Sequence, residues 1–227
     1  MKGIKFFMKK NQLNELIDIL RKTYPDAKCS LNFKTPFELV VAVSLSAQCT
    51  DERVNSVTPD LFETCKTIND FANIDLTQLE DLVRPCGFYK NKAKNIKNCA
   101  KQIIEKYNGI VPCNINDLIY LSGVGRKSAN VIMLEAFGKA QGIAVDTHCK
   151  RIANRIGLSK EKEPGKIELD LLKQINPSDY KDVNHLFIWH GRNTCKARNP
   201  LCEQCCIKHL CKKYNLISYK KEVRGER

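Results

Sequence analysis

A Gly-x-Gly turn between two short helices is predicted within Leu121-Ser122-Gly123-Val124-Gly125-Arg126-Lys127-Ser128-Ala129-Asn130-Val131. The two glycines let the backbone come close to a ligand and direct its N–H groups outward. The N-terminus of the helix behind the turn adds positive potential, so the turn can hold a phosphate group. A Gly-x-Gly sequence alone is usually just a turn. Between two short amphipathic helices, in a chain with a net charge of +13, it predicts a helix-hairpin-helix motif that binds the DNA backbone, with contacts expected from Gly123, Val124, Gly125 and Arg126.

Helical periodicity dominates the chain around this motif, and the alternation typical of strands is nearly absent. These patterns predict an all-α protein with short connections. One helix face is marked by the i, i+3, i+4, i+7 spacing of Leu13, Leu16, Ile17 and Leu20. Three helix starts are predicted at the capping box Thr35-Pro36-Phe37-Glu38, at Thr58-Pro59, and at Thr77 with Glu80. Further helices are predicted near residues 116–121, 126–137, 147–156, 166–175 and 183–190.

The chain has 227 residues, of which 43% are apolar, enough for one large domain or two small ones with a substantial core. No apolar run reaches the roughly 18 residues that a membrane helix needs. Residues 1–10 are basic but contain no long apolar core and no small-residue cleavage site, so we interpret them as neither a signal peptide nor an anchor. We therefore expect a cytoplasmic protein with no membrane partner.

Basic residues outnumber acidic ones by 38 to 25, which leaves a net charge of +13. A basic balance of this size suits a partner made of phosphates, although many basic proteins bind nothing acidic. Six lysines crowd into a stretch whose single acid is Glu105: Lys90, Lys92, Lys94, Lys97, Lys101 and Lys106. The same stretch is predicted to form a helix that ends at Asn108-Gly109 and has an apolar stripe. Most of the lysines lie outside that stripe, so this helix is expected to present a basic face to solvent.

Lys127 and Asp146 form a candidate catalytic pair. Lys127 is predicted in the first turn of the helix after the hairpin, where the helix dipole disfavours an ammonium and so favours the neutral amine of a nucleophile. Asp146 follows an apolar run further along the chain, where it is expected to be partly buried at a helix start. Two simpler roles stay open here, a phosphate contact for Lys127 and a helix N-cap for Asp146.

Five of the twelve cysteines fall within residues 195–211. Without an export signal the compartment is expected to be reducing, so dense cysteines indicate metal rather than disulfides. The spacing Cys195-x6-Cys202-x2-Cys205-x5-Cys211 supplies four thiolates, which suit either zinc or an iron–sulfur cluster.

Other residues in and near this cysteine run have simpler expected roles. Cys206 should point away from the metal because it adjoins Cys205, and His209 could replace a cysteine, although four cysteines already suffice. Lys196 and Arg198 lie within the first loop, where a metal would shape a basic, phosphate-facing surface. The seven scattered cysteines are interpreted as small buried hydrophobic residues: Cys29, Cys49, Cys65, Cys86, Cys99, Cys113 and Cys149.

Taken in this order, the hairpin, the pair and the cysteine run resemble the endonuclease III family of DNA base-excision glycosylases. The resemblance extends from about Leu13 to Cys211, and the cysteine spacing combined with the hairpin lysine is highly specific. Further matching pieces are Pro36-Phe37-Glu38-Leu39, Leu45-Ser46-Ala47-Gln48-Cys49-Thr50-Asp51, Gly87-Phe88-Tyr89, Val145-Asp146-Thr147-His148 and His190-Gly191-Arg192.

The resemblance implies an all-α helix-hairpin-helix glycosylase fold. A six-helix domain with the hairpin is expected at residues 28–140, and a second helical domain at residues 1–27 and 141–227, with DNA crossing the cleft between them. The implied cofactor is a [4Fe–4S] cluster on Cys195, Cys202, Cys205 and Cys211. The implied partner is double-stranded DNA with a damaged base or an abasic site, bound by a monomer in the cytoplasm of a prokaryote, at the nucleoid.

The resemblance also implies a bifunctional glycosylase and abasic-site lyase. Lys127 would attack the sugar of an oxidised pyrimidine, and Asp146 would assist. The resulting Schiff base would acidify the 2′ proton and allow β-elimination of the 3′ phosphate. The cluster would be structural, because neither step transfers electrons between partners.

Two residues correspond to positions that fill the gap left by an extruded base. Gln48 matches the family pattern, whereas Phe88 stands where leucine is frequent, which could alter the preference for the opposite base. The simpler interpretations are a polar residue at a helix end for Gln48 and a core aromatic for Phe88. Ser122 and Ser128 also depart from the usual proline and threonine, but neither supplies the hairpin amides.

Three rival functions use parts of the same pattern. An adenine-mismatch glycosylase needs an acid on the helix before Gln48 and an extra C-terminal domain, but residues 39–50 contain no acid and only the short segment 212–227 follows Cys211. A non-enzymatic DNA-binding module would need the hairpin without Lys127 or Asp146. An electron-transfer ferredoxin is typically small and acidic, unlike this basic and largely helical chain.

Overall fold

The computed structural model describes residues 8–224, with side chains through residue 219. Within this span every regular element is an α-helix or a short 3₁₀ helix, which confirms the all-α prediction. None of the helices described there is both long and apolar enough to span a bilayer. The interpretation of residues 1–10 as neither signal peptide nor anchor lies largely outside the described residues.

The described span contains twelve α-helices joined mostly by short connections. They are α1 (Lys10–Thr23), α2 (Pro36–Leu45), α3 (Asp51–Thr64), α4 (Ile68–Asn73), α5 (Leu76–Val83), α6 (Tyr89–Tyr107), α7 (Ile115–Leu118), α8 (Arg126–Phe137), α9 (Thr147–Ile156), α10 (Pro164–Leu172), α11 (Tyr180–Asn193) and α12 (Lys212–Arg224). Short 3₁₀ helices occupy Arg84–Cys86, Pro177–Asp179 and Lys208–Leu210.

Two of the three predicted helix starts are wrong. Pro59 lies inside α3, which begins at Asp51 because the Thr50 side chain accepts a hydrogen bond from the Arg53 N–H and caps the helix. Likewise α5 begins before Thr77, because the carboxylate of Asp75 accepts from the Gln78 N–H at 3.1 Å. The start of α2 is confirmed, since Thr35 caps its first turn and Pro36 is its first residue.

The chain divides into two compact units. We call Cys29–Gln141 the hairpin unit, and Met1–Lys28 together with Gly142–Arg227 the cysteine-loop unit. These bounds differ by one residue from the boundaries predicted from the sequence. The hairpin unit, all of which is described, contains α2 to α6, α8 and the single turn α7.

Helix α2 forms the centre of the hairpin unit. Seven of its ten residues are buried, on all sides of the helix, as expected for a helix enclosed by others: Phe37, Leu39, Val40, Val41, Ala42, Val43 and Leu45. Helices α3, α6 and α8 pack against it, and α4 and α5 pack against α6. The hairpin helix α8 is therefore held directly on the centre of the core.

Helix α11 has the corresponding place in the cysteine-loop unit, where α1 and α9 pack against it. The predicted apolar face of α1 is confirmed, because Leu13, Leu16, Ile17 and Leu20 are all buried. Arg21 of α1 also forms ion pairs with Asp179 at 2.5 Å and Asp182 at 2.7 Å. Residues from two distant parts of the sequence thus build one unit.

Candidate functional site

The hairpin turn is closed by a hydrogen bond from the Val124 N–H to the Leu121 carbonyl, at 3.0 Å. The side chain of Val124 is buried, so this residue anchors the turn in the core. Gly123 has a φ of 79°, and a Cβ on it would lie 3.0 Å from the Cβ of Asn95. Both the backbone conformation and the close neighbour require glycine at this position.

Gly125 opens α8 as its N-cap residue, and no side chain caps the helix there. A Cβ on Gly125 would meet no atom within 4 Å, so the space beside its backbone is open. The first N–H groups of any α-helix have no partner inside the helix. The exposed Gly125 and Arg126 therefore present the helix N-terminus as the predicted anion-binding surface.

Lys127 is the second residue of α8, and its side chain is exposed, as predicted for the first turn after the hairpin. The half-buried thiol of Cys29 lies in its electrostatic surroundings. The pKa of Cys29 is raised to about 11, mainly by burial, and the nearby charge of Lys127 opposes the rise. Cys29 is therefore a neutral thiol, and its electrostatic surroundings also include Glu135 and Asp51.

Asp146 is the N-cap residue of α9 in the cysteine-loop unit. Its Oδ1 atom accepts a hydrogen bond from the Cys149 N–H at 2.7 Å. The side chain is half-buried, and Ile143, Ala144 and Val145 before it are buried. The structure confirms the helix-start position, and the capping bond uses one of the two carboxylate oxygens.

The neighbourhood of Asp146 depends on a close approach between α9 and α11. A Cβ on Gly191 would lie 2.6 Å from Nδ1 of His148, and Arg151 donates to the Gly191 carbonyl at 3.0 Å. Burial lowers the pKa of His148, while the negative charge of Asp146 opposes that shift. The piece His190-Gly191-Arg192 thus supports the segment that carries Asp146.

Gln48 and Phe88 are exposed residues of the hairpin unit, Gln48 in the turn between α2 and α3 and Phe88 as the N-cap residue of α6. Both have left-handed backbone conformations, with φ of 54° for Gln48 and 47° for Phe88, which non-glycine residues adopt rarely. Phe88 is 65% exposed, so the alternative interpretation of this residue as a core aromatic is wrong. An exposed aromatic ring on a strained backbone is a feature of functional sites more than of cores.

The lysine cluster on α6 is only partly a basic surface. Lys90, Lys94, Lys101 and Lys106 are exposed, as predicted. Lys97 is half-buried and donates to the Ile74 carbonyl, and Lys92 is buried among main-chain carbonyl groups. The side chain of Lys92 therefore does not belong to the predicted basic face.

The four spaced cysteines of the cysteine-loop unit line one cavity, together with apolar residues that include Ile156, Leu201 and Ile207. Within residues 8–219, no three His, Cys, Asp or Glu side chains are grouped closely enough to hold a single metal ion. Four cysteine thiols that line one cavity are a donor set that suits an iron–sulfur cluster. Cys195, Cys202, Cys205 and Cys211 are all half-buried.

Side chains around this cavity hold the loop and contact its sulfurs. Arg155 donates to the Cys195 sulfur at 3.3 Å and to the Lys196 carbonyl at 2.7 Å. Burial lowers the pKa of His190 to about 4. The neutral ring can donate from Nε2 to the Cys205 sulfur at 3.7 Å and accept from the Tyr24 hydroxyl at 3.1 Å. Hydrogen bonds of this kind orient the side chains that ligate a metal.

Other predictions for this loop have mixed outcomes. Cys206 does not line the cavity, and His209 lies outside it, where its Nε2 is 3.3 Å from a carboxylate oxygen of Glu15. Lys196 and Arg198 are exposed. Of the seven scattered cysteines, Cys65, Cys86, Cys99 and Cys149 are buried as predicted, whereas Cys29, Cys49 and Cys113 are half-buried.

Comparison with known proteins is decisive at this point. Residues 41–177 match the model of the HhH-GPD superfamily of base excision DNA repair proteins, and residues 195–211 match the iron–sulfur binding domain of endonuclease III. Endonuclease III of Synechocystis is 47% identical over 91% of this chain and 94% of its own. Endonuclease III of Escherichia coli K12 is 40% identical over 90% of this chain and 96% of its own. The chain belongs to the endonuclease III family.

Solved endonuclease III structures have the same fold. The structure of a non-covalent endonuclease III–DNA complex matches with a TM-score of 0.87 and 41% identity, over 94% of this chain and all of that one. A trapped endonuclease III–DNA covalent intermediate matches with a TM-score of 0.88 and 41% identity, over 93% and 100%. This member of the endonuclease III family is accordingly a bifunctional DNA glycosylase and abasic-site lyase of base excision repair, with an iron–sulfur cluster bound in residues 195–211.

Proposed function

We propose that Lys127 is the nucleophile for both activities. The observation that carries this proposal is its place as an exposed amine, two residues after the Gly125 that opens the helix N-terminus. A hairpin docked on a phosphate holds such an amine close to the adjoining sugar. The covalent endonuclease III–DNA intermediate of a relative supports the proposal, because such an adduct requires a nucleophile on the protein.

The chemistry proceeds through a lysine Schiff base. The Nζ lone pair attacks C1′ of the damaged nucleotide, the glycosidic bond breaks, and its electron pair leaves with the base, which takes up a proton. Loss of a proton from nitrogen and ring opening give the iminium. Its positive charge acidifies the 2′ proton, and removal of that proton expels the 3′ phosphate by β-elimination.

Asp146 has the assisting role in this proposal. A carboxylate offers negative charge to the oxocarbenium character that develops at the sugar, or takes a proton from the attacking amine. The capping bond to Cys149 uses Oδ1 and fixes the side chain, which leaves Oδ2 for this task. Fixed orientation of this kind is what a charge-stabilising group needs, since it then reorganises little during the reaction.

The proposed substrate is double-stranded DNA that contains an oxidised pyrimidine or an abasic site. The amides of Gly123 and Gly125 would hold a phosphate, and Lys196 and Arg198 would contact the backbone from the cysteine loop. Gln48 and Phe88 would enter the gap that the extruded base leaves, because both are exposed in the hairpin unit, Gln48 in the turn between α2 and α3 and Phe88 at the start of α6. We also propose that the protein acts as a monomer in the cytoplasm, at the nucleoid.

The cluster is proposed to be of the [4Fe–4S] type, held by Cys195, Cys202, Cys205 and Cys211. Four soft thiolates around one cavity are the donor set for such a cluster. It would stabilise the loop that presents Lys196 and Arg198. The reaction steps above use only Lys127, Asp146 and the DNA.

Borohydride reduction tests the proposed function. The protein is incubated with a duplex that carries an abasic site or an oxidised pyrimidine, and the iminium is reduced to a stable amine. A trapped adduct whose peptide map places the DNA on Lys127 is the expected result. Base excision without any trapped adduct would assign the chain to the monofunctional glycosylases instead.

A further inference from the structure

Lys92 of α6 is a lysine with no surface role. Its side chain is buried, with 6% of the residue exposed. The ammonium group donates to the carbonyl oxygens of Leu45 and Cys86, each at 2.9 Å. Burial lowers the pKa of this amine, and the neighbouring Cys49 and Cys86 thiols oppose the shift.

The two carbonyl groups end the two segments that lead to Gln48 and Phe88. Leu45 is the last residue of α2, three residues before Gln48, and Cys86 ends the 3₁₀ helix, two residues before Phe88. One ammonium group therefore connects the segment that precedes Gln48 with the segment that precedes Phe88.

A lysine suits this position for two physical reasons. The last carbonyls of a helix have no partner within it, and a cation stabilises the negative end of the helix dipole. A flexible four-carbon stem also lets one nitrogen reach two carbonyls on different segments. The strained conformations of Gln48 and Phe88 persist only if their surroundings hold them. Lys92 does this through its hydrogen bonds to the carbonyls that precede each of them.

We propose that Lys92 is a positioning residue that couples Gln48 and Phe88, so that both enter the DNA duplex in a fixed mutual arrangement. This inference rests on the proposed gap-filling role of those two residues. Lys92 itself touches neither the DNA nor the reacting atoms. Its effect should be confined to the step in which a paired base is displaced from the stack.

Two substrates distinguish this positioning role from a general effect on catalysis, and they differ only in what stands opposite the lesion. A lesion opposite a normal base must be unpaired before excision, whereas the same lesion opposite a tetrahydrofuran abasic analogue has no partner to lose. The measured quantity is the ratio of kcat/KM on the paired substrate to kcat/KM on the unpaired one. A reduced fraction of folded enzyme cancels from this ratio.

The variant Lys92→Met keeps an unbranched apolar stem and removes the N–H donors. We expect it to lower the ratio by roughly ten- to hundredfold, the scale on which a displacement of about 1 Å acts in an active site. Gln48→Ala and Phe88→Ala should lower it in the same direction. Lys66→Met, which removes one exposed charge beside Glu63, is the matched control and should leave the ratio unchanged.

The variants also keep the two proposals distinguishable. If Gln48→Ala and Phe88→Ala lower the ratio but Lys92→Met lowers activity on both substrates equally, the coupling role is refuted and the gap-filling role stands. If none of the three changes the ratio, both proposals fail. Should Lys92→Met not fold, Lys92→Arg provides the measurement, because it keeps charged donors while its wider guanidinium shifts the two carbonyls. An unchanged ratio with Lys92→Arg would then overturn the coupling.

Discussion

The Oε1 atom of Gln102 accepts a hydrogen bond from the backbone N–H of Ser122 at 2.7 Å, so a side chain of α6 holds the first residue of the hairpin turn. The amide nitrogen of Gln102 lies 3.4 Å from the Tyr120 carbonyl on the other side. Together with the Val124–Leu121 bond, these contacts shape the turn from within the hairpin unit. In the proposed phosphate contact, the amides of Gly123 and Gly125 would therefore need little rearrangement.

Replacement of Lys127 by alanine should separate binding from chemistry. Lys127→Ala retains the hairpin amides, so it should still bind damaged duplex within a few-fold of the wild type. It should form no borohydride-trapped adduct, and its nicking of an abasic site should fall by roughly 10³-fold or more, because a covalent catalyst has no substitute within the same mechanism. A trapped adduct that survives this substitution would identify another amine as the nucleophile.

The substitution Asp146→Asn tests the assisting role while it preserves the helix cap. Asparagine caps helices as well as aspartate does, so the bond from Cys149 and the thermal stability should be kept. Base excision should slow by about 10²- to 10⁴-fold, the usual worth of a charged or proton-transferring group. Nicking of a preformed abasic site should slow less, since that substrate has already lost its base. Equal losses on both substrates would contradict this division.

Binding to undamaged duplex should weaken steeply as salt concentration rises, since phosphate contacts release counterions. Lys196→Ala and Arg198→Ala should each reduce the slope of log affinity against log salt by about 0.9. The matched control is Lys66→Ala, which removes an exposed lysine paired with Glu63 and should leave the slope unchanged. Fluorescence anisotropy across a salt series measures this slope. A salt-independent affinity would rule out the electrostatic interpretation.

The purified protein should be brown, with four iron atoms and four acid-labile sulfides per chain, as a [4Fe–4S] cluster on four thiolates requires. Substitution of Cys202 by serine should lower the iron content and the thermal stability together. Cys206→Ser is the matched control, because Cys206 lies outside the cavity that the four cysteines line. A colourless protein with one zinc per chain would contradict the cluster assignment.

Alanine should have opposite effects on stability at two glycines, one in the close contact between α9 and α11 and one in open space on α10. Gly191→Ala should destabilise the protein by about 1–3 kcal/mol, since the added Cβ would lie 2.6 Å from Nδ1 of His148. Gly165→Ala in α10 should stabilise it by up to about 1 kcal/mol, because no atom lies within 4 Å and alanine has less entropy to lose. Thermal unfolding measures both. A Gly191→Ala protein as stable as the wild type would show that the two helices separate easily.

Local sequence signals are sufficient to predict the helices that carry the candidate catalytic residues. Helices α8 and α9 have the predicted bounds because Gly125 and Asp146 mark their starts, and Gly138 and Gly157 end them in left-handed conformations. Each of these capping signals acts within a few residues, so it can be recognised in the sequence without knowledge of the rest of the fold. The start of α3 is harder to predict because Thr50 caps it earlier than the more conspicuous Thr58-Pro59.

Properties that depend on distant parts of the chain could not be predicted in the same way. Lys92 lies on the same helix face as the buried Ile96, Cys99 and Ile103, so the spacing indicates its burial. Its hydrogen-bond partners, the carbonyls of Leu45 and Cys86, could not be predicted from that spacing. Gln102 likewise gains its role from Ser122, 20 residues further on. Hydrogen-bond partners that come from another segment leave no periodic signal in the sequence, so the structure was needed to assign them.

The two-part construction of the cysteine-loop unit sets an order of events during synthesis on the ribosome. The hydroxyl of Tyr24 meets His190 and Thr194, 166 and 170 residues later in the chain, whereas the hairpin unit is built from one continuous segment. Domains generally fold as units while translation proceeds. The hairpin unit can complete its core first, and α1 must wait with its apolar face uncovered until α11 has been made. Iron–sulfur assembly comes later still, since the last cysteine of the cavity, Cys211, follows both the hairpin unit and α11 in the chain.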